Sequence, residues 1–228
     1  MKEEHSGKLY IVSTPIGNLK DITFRAIEVL NSVDFILAED TRRALKLLNH
    51  YDISKRVESF FAGNEWRKKD KVIGQLLQGE SIALITDSGT PCISDPGNTL
   101  VDACNTNGIR VEPIPGPSAF VTALSISGIS SNPSLFVGFL PKSNKKRNNL
   151  LDKIKDLEWN VILYESPHRL KKTLLLLRER MGNIKIYIFK ELTKVFESSI
   201  INNIDNVLEN LDDNIKGEYV IIFNPKIY

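Results

Sequence analysis

Short apolar runs alternate with segments of helical periodicity along the whole chain. Leu9–Ser13, Phe35–Ala38, Ile82–Thr86, Arg110–Pro113, Leu135–Phe139, Val161–Tyr164, Ile184–Phe189 and Tyr219–Phe223 read as strands. They are rich in β-branched and aromatic residues, too short for helices, and bounded by polar or Gly/Pro-marked sequence. Between them, Arg25–Leu30, Arg43–Leu48, Val72–Leu77, Leu100–Asn105, Leu170–Arg180 and Ile204–Leu211 repeat apolar residues at helical spacing. Alternation of this kind predicts an α/β architecture.

Several of these strands run into polar loops. Ser13–Asn18 reads STPIGN, Glu39–Arg42 reads EDTR, and Tyr164–Arg169 reads YESPHR. The longest, Thr86–Gly97, reads TDSGTPCISDPG and leads into a helical segment over Asn98–Asn107. An ordinary connection needs only about 2–6 residues. A long, proline-stiffened loop at the carboxyl end of a buried strand is where open α/β sheets place ligands. Gly89 and Gly97 let the backbone come close to a ligand, and Pro91 and Pro96 fix the loop's shape. The segment Pro113–Ala119 (PIPGPSA) forms a stiff turn and is the expected junction between a domain over 1–116 and one over 117–228.

Composition narrows the possibilities. The 228 residues are 42% apolar and 25% charged, enough for packed cores in a soluble protein. No run approaches the roughly 18 apolar residues of a membrane helix, and MKEEHSGKLY lacks the apolar centre of a signal peptide. A cytoplasmic location is expected. Cys92 and Cys104 fit no zinc spacing, and His5, His50 and His168 are scattered, so no metal site is expected. The net charge of +2 says little by itself. Residues 1–120 carry 14 basic and 16 acidic side chains; residues 121–228 carry 16 and 12. Basic clusters at Arg67–Lys69 with Lys71, Lys142–Arg147 and Arg169–Lys172 can contact phosphates, or can simply be solvated.

Common fingerprints are missing. The first strand is followed by a loop with one glycine and not GxGxxG; there is no GxxxxGK[ST] and no GxSxG. What remains is a set of shaped loops bearing Asp, Thr, Ser and Tyr. Such loops suit a neutral or cationic ligand with adenine, ribose and an amino-acid tail. Asp87 is the strongest candidate to accept from ribose hydroxyls or pair with an ammonium, against a plain role as a turn residue.

Taken in order, LYIVSTPIGNLKDIT, AEDTR, LITDSGTPCISDPG, PIPGPSA, YESPHRL, KELTK and KGEYV resemble the ribosomal RNA small-subunit methyltransferase I family, from Leu9 to about Phe223. That family is similar in fold to the tetrapyrrole methylases and diphthine synthase. The resemblance implies a two-domain homodimer of tetrapyrrole-methylase-like fold, with an S-adenosylmethionine site in the cleft between the domains. It implies methyl transfer to the ribose 2′-hydroxyl of a cytidine in small-subunit (16S) rRNA. Carried over by residue, it implies that Pro15, Ile16, Asp87, Ser88, Gly89, Thr90, Ser118, Ala119 and Tyr164 bind the donor. Glu39, Asp40 and Arg42 would face the acceptor, with His168, Arg169 and Lys194 also on the substrate side. Two departures stand out. The family's histidine-rich segment is here Phe60–Glu65 (FFAGNE), and Lys190 replaces a usual arginine.

Transfer from a sulfonium to a hydroxyl requires alignment and removal of one proton. Alignment contributes about 7–11 kcal/mol, and a positioned base about 10²–10⁴-fold. Glu39, Asp40, Glu165, His168 and Lys190 are all conceivable bases, and the reading favours a carboxylate of the Glu39–Asp40 pair. The alternative is that both only pair with Arg42 or Arg43. The same fold also accommodates a methylase of a small tetrapyrrole, or an RNA-binding module without catalysis.

Overall fold

The computed structural model describes residues 7–130, 133–212 and 215–226; His5 lies outside them. The chain divides into two compact units, Met1–Ser118 and Ala119–Tyr228, so Pro117 and Ser118 fall in the first.

The first unit runs β1 (Lys8–Val12), α1 (Phe24–Ser32), β2 (Phe35–Ala38), α2 (Thr41–His50), β3 (Arg56–Ser59), α3 (Glu65–Leu77), β4 (Ile82–Ile85), α4 (Asn98–Thr106) and β5 (Arg110–Ile114). The strand order is β3-β2-β4-β1-β5 and every pairing is parallel. A parallel sheet must be covered on both faces. Successive residues of a strand point to opposite faces, and two apolar clusters use that alternation. On one face Leu9, Phe35, Leu37, Ile82 and Leu84 meet α3 and α4 through Val72, Leu76, Leu100 and Cys104. On the other, Val12, Ile36, Ala38, Ala83 and Ile85 meet α1 and α2 through Ala26, Leu30, Ala44 and Leu48. This two-sided burial is why FILA and IALI are apolar throughout.

The second unit runs α5 (Ala119–Ser127), β6 (Ser134–Phe139), α6 (Asn144–Ile154), β7 (Asn160–Glu165), α7 (Pro167–Met181), β8 (Lys185–Lys190), β9 (Ser198–Asn203), α8 (Ile204–Glu209) and β10 (Tyr219–Phe223). The order is β6-β7-β10-β8-β9; only β6 and β7 are parallel. Val161, Leu163, Ile186, Ile188, Ile221 and Phe223 pack against α6, α7 and α8. Pro167 starts α7 and Gly182 ends it at φ 79°, the usual placement of these residues. Its Leu170, Leu174 and Leu177 are fully buried, each contributing about 1.5–3 kcal/mol.

Two strands and two helices depart from the sequence reading. β3 (RVES) and β9 (SSIINN) form sheet edges and bury little, so they carry no apolar run. α5 (AFVTALSIS) is apolar or small all round, and α6 (NKKRNNLLDKI) is polar except at its C-terminal half, so neither shows a clear stripe. No helix among the described residues is long and apolar enough to cross a membrane.

Candidate active site

The chain leaves β2 outward to β3, but leaves β4 in the opposite direction, past β1 to β5. The carboxyl ends of β2 and β4 therefore form a topological switch point, the place where open parallel sheets hold ligands. Glu39 and Asp40 follow β2, and Thr86–Gly97 follows β4.

The long loop is tied down at both ends. Thr14 and Gly89 exchange backbone hydrogen bonds of 2.9 and 3.1 Å, which joins the loop after β1 to the loop after β4. Thr14 Oγ1 also donates to the Thr86 carbonyl at 3.2 Å. Thr90 Oγ1 donates to the Pro117 carbonyl at 3.2 Å. A hydroxyl has one proton, so Ser13 Oγ is the donor in its 3.0 Å contact with Thr90 Oγ1. Gly89 adopts φ +82°, a conformation that resists any side chain. Its absent Cβ would stand 3.4 Å from Ile16 Cγ2, so Ile16 lies directly against the loop backbone. At the far end, Gly97 has φ +129°, and a Cβ there would strike Cys92 Sγ and Leu84 Cδ2. Buried Glu65 holds this end: its Oε1 accepts from Gly97 N (3.1 Å), Thr99 N (3.2 Å) and Thr99 Oγ1 (2.6 Å). Two of these donors are amides at the start of α4, which has no side-chain cap of its own.

The carboxylates at the switch point have different environments. Asp87 Oδ1 accepts from the Asp40 amide at 3.0 Å, and Oδ2 lies 3.4 Å from Arg43 Nε. Asp40 caps α2 by accepting from Arg42 N at 2.8 Å, and both its oxygens hold the Arg42 guanidinium at 3.1 and 2.6 Å. Those bonds hold the Asp40 carboxyl far below the usual range. Glu39 is the opposite case: burial raises its pKa, and the nearby Asp87 charge adds to this. Asp95, not among the residues singled out by sequence, is pushed up to about 6, first by burial and then by Glu39 and Asp87. Its only sequence signal was a second aspartate in the long loop. Thr86 Oγ1 is buried at the head of that loop without a hydrogen-bond partner.

In the second unit, Ala119 opens α5 and the Tyr164 hydroxyl accepts from the Phe120 amide at 3.2 Å. The Tyr164 ring makes edge contacts with Phe136 and Phe139 at 5.0 and 5.7 Å. Arg169 is engaged inside the fold: Nε lies 3.4 Å from the fully buried Glu165 carboxylate, and Nη2 donates to the Leu140 carbonyl at 2.8 Å. Glu165 also accepts from Ser166 N and Thr173 Oγ1. Lys194 Nζ sits between Glu191 (3.0 Å) and Glu218 (2.9 Å). Burial pulls its pKa down, but the two carboxylates outweigh that and raise it. Glu191 itself takes φ 53° and is locked to Glu218 by two further hydrogen bonds. His168 is exposed on the first turn of α7. No group of three or more His, Cys, Asp or Glu among the described residues is arranged to hold a metal ion.

The groups at the switch point are of the kinds that can meet a cationic, ribose-bearing ligand. Asp87 and Glu39 supply acceptors, and the Thr86 hydroxyl is left to be satisfied. Residues 8–208 match the family described as Tetrapyrrole (Corrin/Porphyrin) Methylases. Ribosomal RNA small subunit methyltransferase I of Haemophilus influenzae is 46% identical over 225 residues, covering 97% of this chain and 80% of the relative. The protein of that name from Thermotoga maritima is 39% identical over 221 residues, covering 96% and 99%. Among solved structures, a diphthine synthase superposes with a TM-score of 0.78 at 12% identity, covering 97% of this chain and 92% of that one. A uroporphyrin-III-C-methyltransferase from Thermus thermophilus gives 0.64 at 18% identity, covering 96% and 94%. The shared fold and the near-full-length identity place the chain in the tetrapyrrole (corrin/porphyrin) methylase family, among the ribosomal RNA small subunit methyltransferases I.

Proposed function

We propose that this protein methylates the ribose 2′-hydroxyl of a cytidine in small-subunit (16S) ribosomal RNA, with S-adenosylmethionine as donor. Near-full-length identity of 39–46% to relatives named for small-subunit rRNA methylation carries the reading. The switch-point loops support it. Pro15, Ile16 and Asp87–Thr90 would line the donor, with Ser118, Ala119 and Tyr164 assigned by resemblance. When bound, S-adenosylmethionine supplies an electrophilic methyl group.

Glu39 is the better base of its pair. Its raised affinity for a proton makes it the stronger acceptor toward a ribose hydroxyl. Asp40 has both oxygens committed to the α2 cap and Arg42, which weakens it as a base. Arg42 and His168, both exposed, remain the candidates for contact with substrate. By family resemblance the protein acts as a homodimer in the cytoplasm, where ribosomal subunits are found.

The test uses small subunits, or their RNA, from a strain lacking the enzyme. They are incubated with methyl-labelled donor and digested with alkali. A methylated 2′-hydroxyl cannot attack the adjoining phosphate, so the label should stay in an uncleaved dinucleotide. Label in a single methylated base would overturn the ribose assignment.

A further inference from the structure

The turn between β3 and α3 exposes aromatic surface that the packing does not require. Trp66 is 76% exposed and Phe61 43% exposed. Large aromatic side chains are usually well buried, because they carry much apolar area. Here the backbone holds them out. Asn64 is buried, accepts from Phe61 N at 2.9 Å, and donates to the Ser59 carbonyl at 3.2 Å. The Phe61 ring lies over Gly63, where any Cβ would stand 2.6 Å from it.

Cations surround this turn. Lys69 Nζ lies 4.6 Å from the Trp66 ring centroid, a cation–π contact. Arg67 is exposed and has no side-chain hydrogen bond or ion pair among the described residues. The neighbouring acids are partly matched: Glu58 faces Lys68, Lys71 and Arg56, and Asp70 lies 3.9 Å from Lys69. The turn also adjoins the switch point. Phe60 N donates to the Ala38 carbonyl at the end of β2, and Glu65 holds the far end of Thr86–Gly97.

We propose that this corner receives single-stranded RNA: a nucleobase stacks on the open face of Trp66 beside Phe61, and Arg67 and Lys69 meet the flanking phosphates. The proposal rests on the RNA reading given above. Aromatic rings backed by cations are how proteins grip unpaired bases of any sequence. A protein partner would have less use for the unpaired Arg67 beside the rings.

The chain has two tryptophans, so Trp159→Phe leaves Trp66 as sole reporter. A short single-stranded oligoribonucleotide should quench its fluorescence, and a duplex of the same sequence should do so much less. Trp66→Ala should weaken oligonucleotide binding by about 5- to 150-fold, the range for losing one stacked base. Trp66→Phe should recover most of that. Arg67→Ala should reduce the slope of log affinity against log salt by about 1. Donor affinity, measured by calorimetry, should be unchanged in all three variants. Wild-type RNA affinity in Trp66→Ala would overturn the proposal, as would a parallel loss of donor binding or a change in oligomeric state. A wild-type protein that binds the donor but no RNA would instead defeat the RNA reading, and this surface with it.

Discussion

Glu65 Oε1 lies 2.6 Å from Thr99 Oγ1 and 3.2 Å from the Thr99 amide, so the first turn of α3 caps α4. The same oxygen takes the Gly97 amide, which fixes where the long loop ends. Glu65→Ala should cost about 1–3 kcal/mol in urea unfolding, the penalty for losing hydrogen bonds to a charged group and stranding the buried Gly97 amide. It should also weaken donor binding, because Thr86–Gly97 loses its far anchor. Glu65→Gln keeps an acceptor and should lose markedly less on both counts. Equal losses in the two variants would mean that charge, and not the accepting oxygen, matters.

Two glycines give opposite expectations. Gly89 holds φ +82° in the candidate donor loop, so Gly89→Ala should destabilise by about 1–2 kcal/mol and raise the donor dissociation constant. Gly74 lies within α3 with open space around a would-be Cβ. Gly74→Ala should stabilise by about 0.5–1 kcal/mol with donor affinity intact. Thermal unfolding and calorimetry on the pair would check both.

Asp95 carries a pH signature. Its folded pKa of about 6 lies above the ordinary 3.8. The folded protein thus favours the protonated acid. What Asp95 contributes to stability is fully present below pH 3.8 and is lost as pH rises through about 6. Asp95→Asn removes the charged form and should stabilise the protein above pH 6, by about 1 kcal/mol once solvent screening is allowed for. The gain should shrink as pH falls toward 4. A gain that did not vary with pH would point to packing. For Glu39, also raised, methyl-transfer rate should fall as pH drops through its pKa, and Glu39→Gln should remove that limb of the profile.

Arg169 should behave as a fold residue more than an RNA contact. Arg169→Ala leaves the buried Glu165 carboxylate short of its counter-charge and should cost about 3 kcal/mol. The salt dependence of RNA binding should barely change. A stable variant with a reduced salt slope would restore Arg169 to the RNA surface.

Much of the architecture could be read from the chain because both faces of the first sheet are buried, which forces apolar runs such as Phe35–Ala38 and Ile82–Ile85. β3 (RVES) and β9 (SSIINN) escaped the reading because they bury little and carry fewer apolar residues than the other edge strands, β5 and β6. At the candidate site, Asp87 could be singled out from its place just beyond a buried strand. Glu65 and Asp95 were not, because their significance depends on contacts made across the chain. Glu65 meets residues 32 and 34 positions away. The pairing of Asp40 with Arg42, two residues on, could be weighed from the sequence, whereas the raised proton affinity of Glu39 could not, because it comes from burial and from Asp87 across the chain.

The position of β10 has a consequence for synthesis. Among the described residues, Tyr219–Phe223 follows every other strand yet lies in the middle of the second sheet, between β7 and β8. Until it emerges from the ribosome, two apolar strands have bare inner edges, open to pairing with another nascent chain. The first unit has all five of its strands by Ile114 and can close much earlier. Translation therefore passes through a stage in which one unit is finished and the other is held open by a single missing strand, and a pause or truncation there would leave a species prone to aggregate.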